Sequence, residues 1–228
     1  MPSAAGEPDA ARRARVGVLS LQGDFERHGR ALETLGVEPV RVTMPADLEG
    51  VAALVMPGGE STTMLRLLET TGLRAPVEAF VRAQPVLATC AGLILLARAS
   101  DGLPAPTFGV IDCEVARNAY GRQIDSFSAE VEVAPLGGRF PGVFIRAPRI
   151  RQVGAAATVI ARRGDEAVGV RQGRAVGLCF HPELTGDLRL HRWFLAEVAG
   201  LAVPEDAAAS PVRGGHLASP GPGTREGR

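Results

Sequence analysis

Apolar, β-rich runs at Val16 to Leu21, Val37 to Val42, Val51 to Met56 and from Val86 alternate with helix-patterned stretches at about Asp24 to Leu35 and across Thr62 to Arg82. The runs are continuously apolar rather than alternating, so both faces of each strand must be covered. This β-α-β order predicts an α/β fold: three layers, with a mostly parallel sheet flanked by helices. Ligands on such a sheet gather beyond the carboxyl ends of its strands. From Val110 onward the pattern changes to shorter β-type runs, Val110 to Val115, Phe127 to Val133, Val143 to Ile145, Ala156 to Ala161, Ala167 to Val170 and Ala175 to Phe180, separated by Gly, Pro and Asp. These predict antiparallel strands and hairpins added to the sheet. A last helix, about Asp187 to Ala199, carries Leu188, Trp193, Phe194, Leu195 and Val198 and is expected to close the core.

A chain of 228 residues with 46% hydrophobic content fills one core, and a single domain is expected over residues 15 to 202. Residues 1 to 14 and 203 to 228 are rich in Ala, Arg, Pro, Gly and Ser without periodicity and read as disordered tails. Formal net charge is zero with the two signs interspersed, which argues against nucleic acid or an anionic membrane as partner. Three cysteines without metal-finger spacing indicate reduced thiols, and with no apolar signal core and no stretch of membrane-spanning length a cytoplasmic protein is expected. Every basic side chain apart from histidine is arginine. A compositional bias is cause enough, but the absence of lysine excludes Schiff-base chemistry on this chain whatever its origin.

The strongest local signal is Pro85-Val86-Leu87-Ala88-Thr89-Cys90-Ala91-Gly92-Leu93-Ile94, a strand that breaks at a thiol and resumes as a helix. A cysteine at such a turn stands clear of both elements and near the positive end of the helix, which favours the thiolate. The segment Cys179-Phe180-His181-Pro182-Glu183 supplies a base and an acid. Pro182 is expected to keep it extended, so that His181 and Glu183 face the same side and Glu183 orients the imidazole toward the thiol. Cys90, His181 and Glu183 are the catalytic candidates. Thiolate attack on an acyl or amide carbon needs backbone N–H groups aimed at the developing oxyanion; Ala91 and Gly59, in the Pro57-Gly58-Gly59-Glu60-Ser61 turn, are the candidate donors. Cys113 and Cys179 read as core filler, and His28, His191 and His216 as ordinary core or surface histidines. A metal site built from Cys179, His181, Glu183 and His191 matches no familiar closed zinc spacing and would take the base away from Cys90, so none is expected.

Six segments occur in the order found in one family: Leu19-Ser20-Leu21-Gln22-Gly23, Pro57 to Met64 (PGGESTTM), Thr89-Cys90-Ala91-Gly92-Leu93, Arg117 to Gln123 (RNAYGRQ), Phe144-Ile145-Arg146-Ala147-Pro148 and His181-Pro182-Glu183-Leu184-Thr185. Together they resemble the glutaminase subunit of pyridoxal 5'-phosphate synthase over about residues 16 to 200. Ala119-Tyr120 departs from the Ser-Phe common there. The resemblance implies a flavodoxin-like, class I glutamine amidotransferase fold that hydrolyses L-glutamine to L-glutamate and ammonia. It also implies delivery of the ammonia to a lysine-bearing synthase partner in a hetero-oligomeric complex, with no cofactor on this chain. Family substrate contacts carry over onto Gly59, Glu60, Ser61, Arg117, Ile145 and Arg146, either arginine being suited to the substrate α-carboxylate. Gln22 falls in a loop that in the family helps form the partner interface and the oxyanion region. A glyoxalase- or deglycase-like cysteine enzyme and an inactive interaction module are the alternatives, disfavoured by the late His-x-Glu pair and by the intact triad.

Overall fold

The computed structural model describes residues 13–117 and 126–204. The parallel half begins with β1 (Arg15–Leu19), α1 (Phe25–Thr34), β2 (Glu38–Val42) and β3 (Ala53–Met56). It continues through α2 (Ser61–Thr70), α3 (Arg74–Ala83), β4 (Val86–Thr89) and α4 (Ala91–Leu96). Helices α1 to α3 each bury one apolar stripe, Ala31 and Leu32 of α1, Met64, Leu65 and Leu68 of α2, Val77 and Val81 of α3, whereas α4 is buried at every position. Strands β3 and β4 are buried at every position, as their unbroken apolar sequences require.

The second half contributes β5 (Ala97–Ser100), β6 (Ile111–Ala116), β7 (Ser126–Val133), β8 (Gly138–Ile145) and β9 (Arg149–Val153). After these come β10 (Thr158–Arg163), β11 (Glu166–Gln172) and β12 (Ala175–Leu178). Nine strands form the main sheet in the order β2-β1-β3-β4-β12-β11-β10-β7-β8, and β5-β6-β9 form a small second one. Strands β2, β1, β3, β4 and β12 are parallel, whereas β11, β10, β7 and β8 continue as antiparallel neighbours. The antiparallel addition expected from the sequence is present, with one correction: the Ala175 run does not extend the hairpins outward but lies at the centre, parallel to β4 and buried at all four positions. Its composition, Ala-Val-Gly-Leu, suits burial on both faces, which periodicity alone does not distinguish from a hairpin strand.

The antiparallel arm curls back on itself. Strand β8 is the far edge of the sheet, yet Val143 O accepts from His181 N at 2.8 Å, so the last strand returns to the end of β12. The C-terminal helix is shorter than its pattern implied: α5 (Arg189–Trp193) passes into a single π-helical turn, Phe194–Val198, while Trp193, Phe194, Leu195 and Val198 are buried as expected. The expected tails lie outside the described residues except at their inner ends, together with His216 and the segment Asn118 to Gln123. At those inner ends Ala14 and Val203 pack against the core, and Pro204 O accepts from Arg192 Nη1 at 2.8 Å. No helix of the described residues is long and apolar enough to cross a membrane.

Helix α4 is pressed onto the end of β3 at Gly92, where a Cβ would stand 2.3 Å from Met56 O and 3.1 Å from the Met56 carbonyl carbon. That neighbour is backbone in the middle of the sheet and cannot give way cheaply. Gly92→Ala is therefore expected to destabilise the fold by about 1–3 kcal/mol in urea denaturation; an unchanged midpoint would show that the helix tolerates displacement.

Candidate active site

The parallel register brings the candidate nucleophile and base together. Thr89 pairs with Leu178 in the β4–β12 ladder, so the two strands end level and their next residues emerge at the same sheet edge. Cys90 N donates to Leu178 O at 2.8 Å, which stitches the nucleophile turn to the strand carrying the base. Cys90 has φ 48° and ψ −104°, and it and Arg146 are the non-glycine residues of positive φ among the described residues. Such a backbone costs about 1–3 kcal/mol and persists where surrounding contacts over-determine it. The bend lifts the side chain off the strand while Ile94 N bonds back to Cys90 O at 3.2 Å to open α4.

His181 and Glu183 meet as expected but by a different local route. Pro182 does not continue an extended segment; it opens a 3-10 turn, Pro182–Leu184, and the tight turn swings Glu183 beneath the imidazole. His181 Nδ1 donates to Glu183 Oε1 at 2.7 Å, with Glu183 fully buried. Nδ1 thereby holds the proton, and the buried Nε2 has no hydrogen-bond partner among the described residues. A Cβ placed on Gly58 would stand 2.3 Å from His181 Cε1 and 3.2 Å from Cys90 Cβ, so imidazole and thiol flank one point that only a glycine leaves open. The Cys90 Sγ also lies 3.9 Å from Ile145 O at the end of β8.

The electrostatics follow from burial opposed by pairing. Burial disfavours the imidazolium of His181, but the adjacent Cys90, the hydrogen bond to Glu183 and the charges of both outweigh it and raise the pKa to about 10. Burial would likewise raise the Glu183 carboxyl, but the adjacent His28 imidazole and the hydrogen bond from His181 hold it well below the ordinary carboxylate range. The pair is a charged unit at neutral pH, poised to exchange a proton with the thiol.

A cavity of about 290 Å³ opens over these groups, lined by Gly23, Asp24, Gly58, Gly59, Glu60, Ser61, Cys90, Ile94, Arg117, Ile145, Arg146, His181 and Leu184. The structure thus gathers the sequence-predicted Gly59, Glu60, Ser61, Cys90, Arg117, Ile145, Arg146 and His181 around one space. Glu183 lies behind His181. Ala91 is buried at the first position of α4, and Gln22 packs on the glycine turn, its Nε2 2.5 Å from where a Gly59 Cβ would sit.

Two of the predicted contacts have structural duties of their own. Glu60 caps α2, accepting from Thr62 N at 3.3 Å, Thr63 N at 2.8 Å and both threonine hydroxyls, and these bonds overcome burial to lower its pKa to about 2. Arg117 is already engaged, 3.2 Å from Glu60 Oε1 and 2.6 Å from Gly102 O. Arg146 is exposed at the cavity wall and has no hydrogen-bond or ion-pair partner among the described residues. Cys113 and Cys179 are buried core residues; burial pushes the Cys113 thiol up to about 12 and drives Cys179 well above its ordinary value.

His28 is a core histidine, as expected, but with contacts that its sequence does not mark. This residue of α1 is fully buried with its Nε2 3.2 Å from Glu183 Oε2 and its Nδ1 3.0 Å from His191 Nε2, so neither histidine is mere filler. No local signal marks the contact, because the two imidazoles stand 163 positions apart in the chain. Among the described residues no histidine, cysteine and carboxylate set is arranged to hold a metal ion.

A model of the SNO glutamine amidotransferase family matches residues 18–200. Relatives named pyridoxal 5'-phosphate synthase subunit PdxT include that of Deinococcus radiodurans, 52% identical over 186 residues, which cover 79% of this chain and 95% of the relative. One from Thermus thermophilus is 51% identical over 192 residues, 83% of this chain and 100% of the relative. A crystal structure of a glutamine amidotransferase superposes with a TM-score of 0.77 at 48% identity, covering 82% of this chain and 99% of that one. A more distant glutamine amidotransferase from Thermotoga maritima, at 19% identity and TM-score 0.54, shares the fold over 81% of this chain and 82% of its own.

The two opposed pKa shifts define a pH window. The depressed Glu183 carboxyl stabilises the native state above its ordinary value of 4.5, and that contribution fades as pH falls below it. The raised His181 contributes fully below its ordinary 6.5 and is lost as pH rises through about 10. Glu183→Gln is expected to be less stable than wild type by about 3 kcal/mol near neutrality. The gap should narrow on acidification below 4.5 in urea titrations followed by circular dichroism. A gap independent of pH would contradict the charged pair.

Proposed function

The chain belongs to the SNO glutamine amidotransferase family, and from that premise we propose that it is the glutaminase subunit of a pyridoxal 5'-phosphate synthase. It hydrolyses L-glutamine to L-glutamate and ammonia, and the ammonia is consumed by a synthase subunit with which it assembles. Relatives about half identical over nearly their whole length support the assignment. The observation that carries the chemistry is the short Nδ1–Oε1 bond of His181 and Glu183, which leaves Nε2 beside a thiol on a strained strand-to-helix turn.

In this reading the Cys90 thiolate attacks the carboxamide carbon of glutamine, and negative charge moves to the carboxamide oxygen. The Ala91 N–H at the start of α4 and the Gly59 N–H are the proposed oxyanion donors. Gly58 O faces Gly23, where a Cβ would meet it at 1.8 Å, so the Gly59 N–H points the other way across the planar trans peptide. His181 Nε2 gives its proton to the departing nitrogen, ammonia leaves, and a thioester remains on Cys90. Water then attacks the thioester with His181 taking its proton, which releases glutamate and restores the thiol. Glu183 keeps the imidazole in the required tautomer throughout.

Arg146, at the cavity wall and without a partner among the described residues, is the better-placed group for the substrate α-carboxylate, while Arg117 orders Glu60 and the glycine turn. Gln22 against Gly59 makes the loop after β1 the route by which a docked partner acts on the oxyanion turn. The absence of lysine leaves imine chemistry on sugar phosphates to the partner. Three free cysteines fit a reducing, cytoplasmic setting. A deglycase-like reading finds no support, since the acid sits on the base's own turn and the family is that of amidotransferases.

Glutamate release from glutamine is expected to be weak for the chain alone, stimulated by the synthase subunit, and reduced roughly a thousandfold or more in Cys90→Ser. Activity surviving that substitution would remove the mechanism. Arg146→Ala is expected to raise KM for glutamine roughly tenfold with little change in kcat, because it removes binding common to ground and transition states. A fall confined to kcat would move the carboxylate contact elsewhere.

A further inference from the structure

Glu183 is a buried carboxylate with two oxygens, and the triad accounts for one of them. Oε1 accepts from His181. Oε2 has no fully aligned hydrogen bond, and the group against it is His28 Nε2 at 3.2 Å, within ion-pair reach but off the ideal line. Both side chains are fully excluded from solvent. Behind His28, His191 Nε2 lies 3.0 Å from His28 Nδ1, and the Nδ1 of His191 is buried without a partner among the described residues. Thr89 Oγ1, on the residue preceding the nucleophile, stands 3.5 Å from the same His28 Nε2.

The protons in this row can be assigned by elimination. Burial, and next the adjacent His28, lower the pKa of His191 to about 3, so His191 is neutral. A bare His28 Nε2 would face the carboxylate with two acceptors in contact and no proton between them. His28 therefore carries a proton on Nε2, whether His191 donates to its Nδ1 or accepts from it. Donors then converge on Glu183 from both sides, one imidazole on each oxygen.

We propose that His28 is a positioning residue of the glutaminase reaction: it fixes the second oxygen of Glu183, and through it the orientation of His181 toward Cys90, with His191 bracing it from behind. The inference rests on the glutaminase reading. His28 does not line the substrate cavity, so it acts on the base and not on glutamine. It links α1, the β4 end at Thr89, the 3-10 turn and α5, elements that otherwise meet the site from different directions.

The test uses the chain with its synthase subunit and two substitutions. In His28→Gln the amide nitrogen falls near the position of Nε2 and keeps the donor toward Glu183; in His28→Asn the amide reaches only toward His191. Asn is expected to lower kcat roughly 10- to 100-fold with KM for glutamine nearly unchanged, and Gln to restore most of the loss. Equal losses in both variants, a wild-type kcat in Asn, or an effect confined to KM would each overturn the proposal. The downfield His181 Nδ1–H proton resonance, retained in Gln and lost in Asn, reads the same positioning without turnover, and the dispersed amide spectrum recorded with it shows that each variant is folded. If wild type released no glutamate, the glutaminase reading would fall; if wild type were active and both variants kept the resonance and the rate, only the role of His28 would.

Discussion

The parallel ladder between β4 and β12 is the constraint on which the site depends. These strands come from opposite halves of the chain, and their level ends set Cys90 and His181 side by side. A slip of one residue would turn alternate side chains to the other face and separate thiol from base. The register is held by burial of every residue in both strands and by the Cys90 N to Leu178 O bond that continues the ladder past its last pair. Catalytic geometry is thus fixed by the same packing that gives the core its cohesion.

The buried charges make sense only as a group. Moving a carboxylate from water into a sheet edge is costly unless donors meet it there. Glu183 is met by His181 and faced by His28, and the opposite shifts of Glu183 and His181 express a charge separation that the interior supports because it is paired. Glu60 shows a second solution: a carboxylate at the cavity rim is kept ionised by the first turn of a helix and a nearby arginine. Polar chemistry in this protein is placed where backbone donors or rings already wait.

Much of the fold and site is legible in the sequence because the signals are local. Continuous apolar runs mark the parallel strands, the Thr89-Cys90-Ala91 break marks the nucleophile turn, and His181 two residues from Glu183 marks the acid-base pair. The failures come from information that is not local. The Ala175 run looks like any short strand, and only the closing of the sheet places it against β4. Strand β9 and the upstream part of β8 alternate weakly and fall between the recognisable β-type runs. The fixed φ of Pro182 suits a 3-10 turn as well as an extended strand. His28 lies on a helix stripe with Ala31 and Leu32, where a buried histidine looks like packing until its distant partners are known.

Because β12 is inserted between β4 and β11 and not added at an edge, the base cannot reach the nucleophile until the late-synthesised half of the chain has threaded into the middle of the sheet. On the ribosome, where the earlier half emerges first, Cys90 is an unassisted thiol for much of translation. Reactivity then arrives together with the final consolidation of the fold, so a truncated or half-assembled polypeptide carries the cysteine without the means to use it.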